Sequence, residues 1–275
     1  MGMVRYVLNE VKRHRLMSYS DEYSETALKI GGVDHQITAE EHAKMSEVDF
    51  KENYTDLDTH MEWYFKYLSN IKKTPVLSTV ASVASQNGYK NILSIGCGPG
   101  CLEYMIAMML GKEYNIIGAD YDSYIVDQNN TVMGDRVRYI SYDLYKDDVV
   151  SLTEKYETDM VLLVGSSCSM DGDSYIKWLK NLTQTGVKCL IDFAAGVDNA
   201  FMFLTDLSYV KKATISYLQG RRDGIPIEAA HAYRRYSFQL TDIFDKGGWD
   251  YKRISAEPYK HVYVLSPKGK VRVKI

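Results

Sequence analysis

The chain has 275 residues, 45% hydrophobic and 25% charged, with a formal net charge of -3 at pH 7. That composition fits one α/β domain with appendages and gives no case for a general nucleic-acid-binding surface. No apolar run is long enough to span a bilayer, Met1-Gly-Met-Val-Arg-Tyr-Val-Leu8 turns polar too soon for a secretory signal, and Cys97, Cys101, Cys168 and Cys189 lack zinc-type pairing, so a reduced, cytoplasmic protein with no metal and no membrane contact is the simplest reading.

Residues 1–73 read as a helical extension. Val4–Arg13 has amphipathic spacing, and Thr38-Ala-Glu-Glu41 carries a capping-box signature. A further helix is expected from Thr55 to about Ile71, with His60, Trp63, Tyr64 and Tyr67 on related faces, while 17–37 is polar and irregular. These helices are candidates to cap a site or to join two copies as a homodimer. A second region, 74–275, opens with Thr74-Pro75, an N-cap followed by proline at the first helical position. Val76, Leu77, Val80 and Val83 form its apolar stripe, and Gly88 is a suitable stop.

From Asn91 the pattern alternates strand and helix: 91–96, 101–110, 115–119, 123–131, 137–141, 147–155, 159–164, 173–184 and 187–192. The strands are continuous apolar runs, as expected when helices cover both faces of a doubly wound, mostly parallel sheet. Residues 194–236 then interrupt the alternation. They read as an insertion over one edge of the sheet, with a helix of its own around Phe201–Leu207 and a concentration of Lys211, Lys212, Arg221, Arg222, Arg234 and Arg235. A helix and turn over Tyr236–Trp249 and a strand at His261–Leu265 follow. The tail after Pro267 alternates charged and apolar residues, as an extra edge strand would.

One segment carries chemistry. The strand from Asn91 runs into Gly96-Cys97-Gly98-Pro99-Gly100, and the next strand ends at Asp120, 20 positions after Gly100. Glycines there let the backbone turn sharply and approach a ligand, and a carboxylate at the next strand tip can accept the hydroxyl hydrogens of a ribose. The dinucleotide pattern G-x-G-x-x-G would need glycine at 101, where Cys101 stands, which disfavours a dehydrogenase.

The G-x-G-x-G spacing, with Pro99 inside it, resembles motif I of the class I S-adenosylmethionine (SAM)-dependent methyltransferases. The resemblance spans roughly 74–267. Arg138–Asp143 is similar to the family's third strand and its acidic residue facing the adenine, Asp159–Gly165 to the fourth strand, Gly186–Asp192 to the fifth, and His261–Leu265 to the last. It implies a seven-stranded Rossmann-like sheet with N-terminal helices and an inserted lid. It implies SAM as donor, with S-adenosylhomocysteine (SAH) as product, held by Gly96, Cys97, Gly98, Gly100, Asp120, Tyr121, Asp143, Leu144, Gly165 and Ser166.

Methyl transfer needs an in-line approach, and it needs a base only for an acceptor such as a hydroxyl. His231 suits that role near neutral pH; its bland reading is a hydrogen-bonded structural histidine. His60, Tyr64, Tyr233, Arg234 and Arg235 are the candidate substrate contacts. The arginines suggest an anionic small molecule, because guanidinium forks match carboxylate and phosphate, against the bland reading of a solvated charged face. The DNA amino-methyltransferase signature Asn/Asp-Pro-Pro-Tyr is absent after the fourth strand, where Gly165-Ser-Ser-Cys-Ser-Met170 stands. Metal-assisted methylation would need converging carboxylates. Asp192, Asp198 and Asn199 lie near one strand end, and 165–170 supplies none. The expected activity is methylation of an O, N or carboxylate group of a small metabolite or sugar derivative. Aminoalkyl transfer from SAM or its decarboxylated form, and a non-catalytic SAM-binding subunit, are the alternatives.

Overall fold

The computed structural model describes residues 2–19, 58, 62, 74–144, 146–194, 196–197, 199–220, 235–257, 260–270 and 273–275. In chain order these form α1 (Met3–Tyr19), α2 (Thr74–Asn87), β1 (Asn91–Ile95), α3 (Cys101–Leu110), β2 (Asn115–Asp120), α4 (Ser123–Met133), β3 (Arg138–Ser141), α5 (Val149–Lys155) and β4 (Met160–Val164). After a 3-10 turn at Ser167–Ser169 come α6 (Gly172–Thr183), β5 (Cys189–Ala194), β6 (Gly196–Val197), α7 (Asn199–Leu218), β7 (Arg235–Tyr236), α8 (Ser237–Lys246), β8 (Trp249–Glu257) and β9 (Lys260–Pro267).

Seven strands make one sheet in the order β3-β2-β1-β4-β5-β9-β8. β1 to β5 pair in parallel, and β9 runs antiparallel to both β5 and β8. The continuous apolar strands are explained by two covered faces. Ile92, Ile116, Leu162 and Ile191 point into one buried cluster with Val76 and Val80 of α2 and Ile106 of α3. Their neighbours Leu93, Ile117, Leu163 and Leu190 point into another with Leu179 of α6 and Phe244 of α8. Alternation across a strand thus feeds both layers.

Capping side chains fix where the helices begin. Asp122 Oδ1 accepts from the N–H groups of Tyr124 and Ile125 at the start of α4, and Asp171 Oδ1 accepts from Ser174 N at the start of α6. At the far edge, buried Trp249 donates from Nε1 to the Leu179 carbonyl at 3.1 Å, joining β8 to α6.

The excursion after β5 is closed at its base by a two-stranded parallel ribbon that pairs Gly196 with Arg235 and Val197 with Tyr236. Its helix, α7, is a 20-residue element, much longer than the short helix expected around Phe201–Leu207. α1 packs along α7: Tyr6 is buried, its ring 5.5 Å from that of Tyr217, its hydroxyl 3.5 Å from Ser216 Oγ. Among the described residues of the tail, 268–270 and 273–275, the expected edge strand does not form. Residues 273–275 lie outside any strand, and Asn87 holds Lys274 by two hydrogen bonds, Nδ2 to the Lys274 carbonyl and Lys274 N–H to Oδ1. Val273 and Ile275 rest against the α2 side of the core, so side-chain packing and the Asn87 clasp replace strand pairing.

Candidate functional site

The carboxyl ends of β1, β2 and β4 meet at one edge of the sheet, and the glycine loop lies there. Gly96, Gly98 and Gly100 all have positive φ, at 74°, 52° and 72°. Two of them are also forced by close approach. A Cβ on Gly96 would collide with Ser166 Cβ, and one on Gly100 would stand 2.5 Å from Tyr139 Cε1.

Each neighbouring element ties the loop down. The Gly96 and Cys97 N–H groups both donate to the Ala119 carbonyl, at 2.7 and 3.1 Å. Gly98 N–H donates to Asp120 Oδ2 at 2.8 Å, while Asp122 N–H donates to Asp120 Oδ1 at 3.2 Å. Asn129 of α4 donates from Nδ2 to the Gly98 carbonyl at 2.8 Å, and the Tyr139 hydroxyl donates to the Gly100 carbonyl at 2.9 Å. Ser166, just after β4, donates to the Ile95 carbonyl at 2.6 Å. Beneath the loop, buried Ser94 donates to Glu103 Oε1 at 2.6 Å.

Asp120 is therefore both part of the loop scaffold and the acid at its rim. Burial raises its carboxyl above the usual value, with the N–H groups of Gly98, Asp122 and Tyr121 pulling the other way. These main-chain donors occupy part of the about four lone-pair sites of a carboxylate, so acceptor capacity remains. Tyr121, beside it, leaves 37% of its surface exposed. Asp143 sits past β3, its carboxylate 3.1 Å from Lys146 Nζ, and Leu144 packs partly into the second core cluster. Gly165 has φ 80°, and a Cβ built on it would meet nothing within 4 Å. Burial pushes the Cys97 thiol well up, with the nearby Glu103 and Asp120 adding to the effect, which favours the protonated thiol.

The residues expected on the acceptor side divide. His60, Tyr64, His231, Tyr233 and Arg234 lie outside the described residues. Arg235 is described, and it is buried at 2% exposure. Its Nη1 donates to the Ser167 carbonyl at 3.4 Å and its Nη2 to the Met170 carbonyl, so its guanidinium faces the loop after β4 from inside. Arg235 was expected with Arg234 as an anion contact; its guanidinium here donates to two main-chain carbonyls.

Sequence reading missed the polar set around it. Asp192, fully buried in β5, accepts from Ser167 Oγ at 2.8 Å and from the Tyr175 hydroxyl at 2.9 Å. Burial lifts its carboxyl to about 6, against the pull of those two hydrogen bonds and of the Arg235 charge. The signal was a lone acid in the otherwise apolar Cys189-Leu-Ile-Asp-Phe-Ala194. Among the described residues no group of three or more His, Cys, Asp or Glu side chains could hold a metal ion, and no helix is long and apolar enough to cross a membrane.

No family model and no curated protein matches the sequence. Solved structures do match. A Nostoc punctiforme protein assigned as an O-methyltransferase superposes with a TM-score of 0.57 at 14% identity, covering 95% of this chain and 72% of that one. Human N-acetylserotonin methyltransferase, in complex with SAM, gives 0.55 at 12% identity over 96% of this chain and 67% of its own. Magnesium protoporphyrin IX methyltransferase from Synechocystis, with bound SAH, gives 0.50 at 12%, over 70% and 83%. Identity this low speaks for the fold alone. The strand order, the antiparallel β9 and these superpositions together make this the Rossmann-like fold of class I methyltransferases.

Proposed function

We propose that the chain is a SAM-dependent methyltransferase acting on an O, N or carboxylate group of a small metabolite or sugar derivative. The observation that carries this reading is Asp120: a buried carboxylate at the tip of β2, hydrogen-bonded to the glycine loop of β1, with acceptor capacity to spare. A ribose diol is a matching donor pair. Gly96, Cys97, Gly98 and Gly100 would border the amino-acid portion of the donor, Tyr121, Asp143 and Leu144 the adenine, and Gly165 and Ser166 the reacting centre. When bound, the donor supplies a methyl group on a cationic sulfonium.

The chain's own contribution is placement. The loop is held by the side chains of Asp120, Asn129, Tyr139 and Ser166 and by the Ala119 carbonyl, so little order remains to be gained on binding. Gly165, with no side chain, leaves an open approach from the β4 side. His231 is the proposed base for a hydroxyl acceptor, and Arg234, with His60, Tyr64 and Tyr233, the proposed acceptor contacts.

The test is titration calorimetry of the purified chain with SAM, SAH, decarboxylated SAM and NAD. The reading requires SAM and SAH to bind and NAD not to. Preference for decarboxylated SAM would shift the assignment to aminoalkyl transfer. Asp120→Asn should weaken SAH by roughly tenfold or more, the cost of a lost hydrogen bond to a charged group, with the circular dichroism spectrum retained. Unchanged affinity would remove the donor from this edge.

A further inference from the structure

Below the sheet edge, four side chains from four parts of the fold meet: Ser167 in the turn after β4, Tyr175 of α6, Asp192 of β5 and Arg235 of β7. All are buried to within 2% exposure. An apolar set of the same volume would hold these elements together without the cost of burying charge. What the charged set adds is direction. The guanidinium fork of Arg235 spans two carbonyls of one short turn, those of Ser167 and Met170, and Asp192 grips the hydroxyl of Ser167 in the same turn.

We propose that Asp192 and Arg235 are positioning residues that lock the turn Gly165–Met170 and strand β7 into a single wall on the methyl-acceptor side. The location of that wall rests on the methyltransferase reading above; the locking itself does not. Arg235 is the first described residue after Gly220, and it is paired with Gly196 across the ribbon. A substrate contact on either segment would therefore be set relative to the other by this fork.

The groups facing Asp192 are Ser167 and Tyr175 as donors, Arg235 as a positive charge, and on β9 Tyr263, its register partner, with His261 two residues away on the same face. Opening the turn would hydrate Asp192 and let its carboxyl return toward an ordinary value. The closed form therefore holds the proton more tightly, and the lock loosens as pH rises from about 4 to about 6.

Amide hydrogen exchange on the full chain tests this, with rates corrected for intrinsic pH dependence. In Arg235→Lys, which keeps the charge and loses the fork, exchange should rise roughly tenfold in both 165–171 and 235–240, while β1 and β2 stay protected. In the wild type, exchange of 165–171 should rise between pH 4 and 6. Asp192→Asn should flatten that profile and His261→Gln should leave it in place. If Asp192→Asn does not fold, Ser167→Ala and Tyr175→Phe, which remove one hydrogen bond each, should shift the midpoint. Loosening of 235–240 alone in Arg235→Lys overturns the lock, as does a pH profile that follows His261. A wild-type chain that shows the coupling yet binds no SAH overturns the acceptor-side placement only.

Discussion

Tyr139 acts through its ring and its hydroxyl at once. The ring fills the space a side chain at position 100 would occupy, and the hydroxyl holds the Gly100 carbonyl. Gly100→Ala should thus cost more than the about 1 kcal/mol of a left-handed φ alone, because overpacking against a buried ring adds about 1–3 kcal/mol. Urea unfolding checks this. In a Tyr139→Ala background the Gly100→Ala change should cost only the smaller amount, since the ring is gone. Asp192 contributes in a different way. Its folded carboxyl lies at about 6 against an ordinary 3.8, so the folded state keeps the proton longer than the unfolded chain does. The stability owed to this group is greatest below the unfolded value and falls as pH rises toward the folded one, by about 3 kcal/mol in all. The wild type minus Asp192→Asn difference in unfolding free energy should fall by that order between pH 3.5 and 7 in a denaturant series. Neither pair was legible in the sequence. Tyr139 and Gly100 are 39 positions apart, and Arg235 and Ser167 are 68 apart, so only the folded topology makes them neighbours.

At the scale of elements, local signals carried far. The helix expected at 101–110 is Cys101–Leu110, and strands expected at 91–96, 115–119 and 159–164 form within a residue or so of those limits. Their glycines, caps and apolar runs are all local in sequence. The insertion was harder. α7 runs to Leu218 through Lys211 and Lys212, and its apolar residues fall on more than one face: Tyr209 and Ala213 are buried while Leu207, Val210, Ile215 and Leu218 are exposed, so no single stripe marks the helix. α6 shows how strongly a cap can define a boundary: Asp171 takes Ser174 N–H at 2.8 Å and Ser174 Oγ at 2.6 Å. Asp171→Ala should destabilise the chain by about 1 kcal/mol, and Asp171→Asn by less, in thermal or urea unfolding. Equal losses in the two would place the effect outside the cap.

Across the whole molecule, the doubly wound sheet was readable because each covered strand announces itself as an apolar run, and the glycine loop because its geometry depends on glycine itself. The buried polar set was not, since charge inside a protein is a property of the assembled layers. One further consequence follows from the strand order. β8 and β9 are near neighbours in sequence and can zip as a hairpin early, whereas β5 must wait for that hairpin across the whole of α7 and α8. Until it arrives, Leu190, Ile191 and Phe193 line an open parallel edge with nothing to pair. Docking of β9 is thus expected to close this edge, and a chain in which the β8–β9 hairpin is weakened should self-associate more during refolding, read as light scattering.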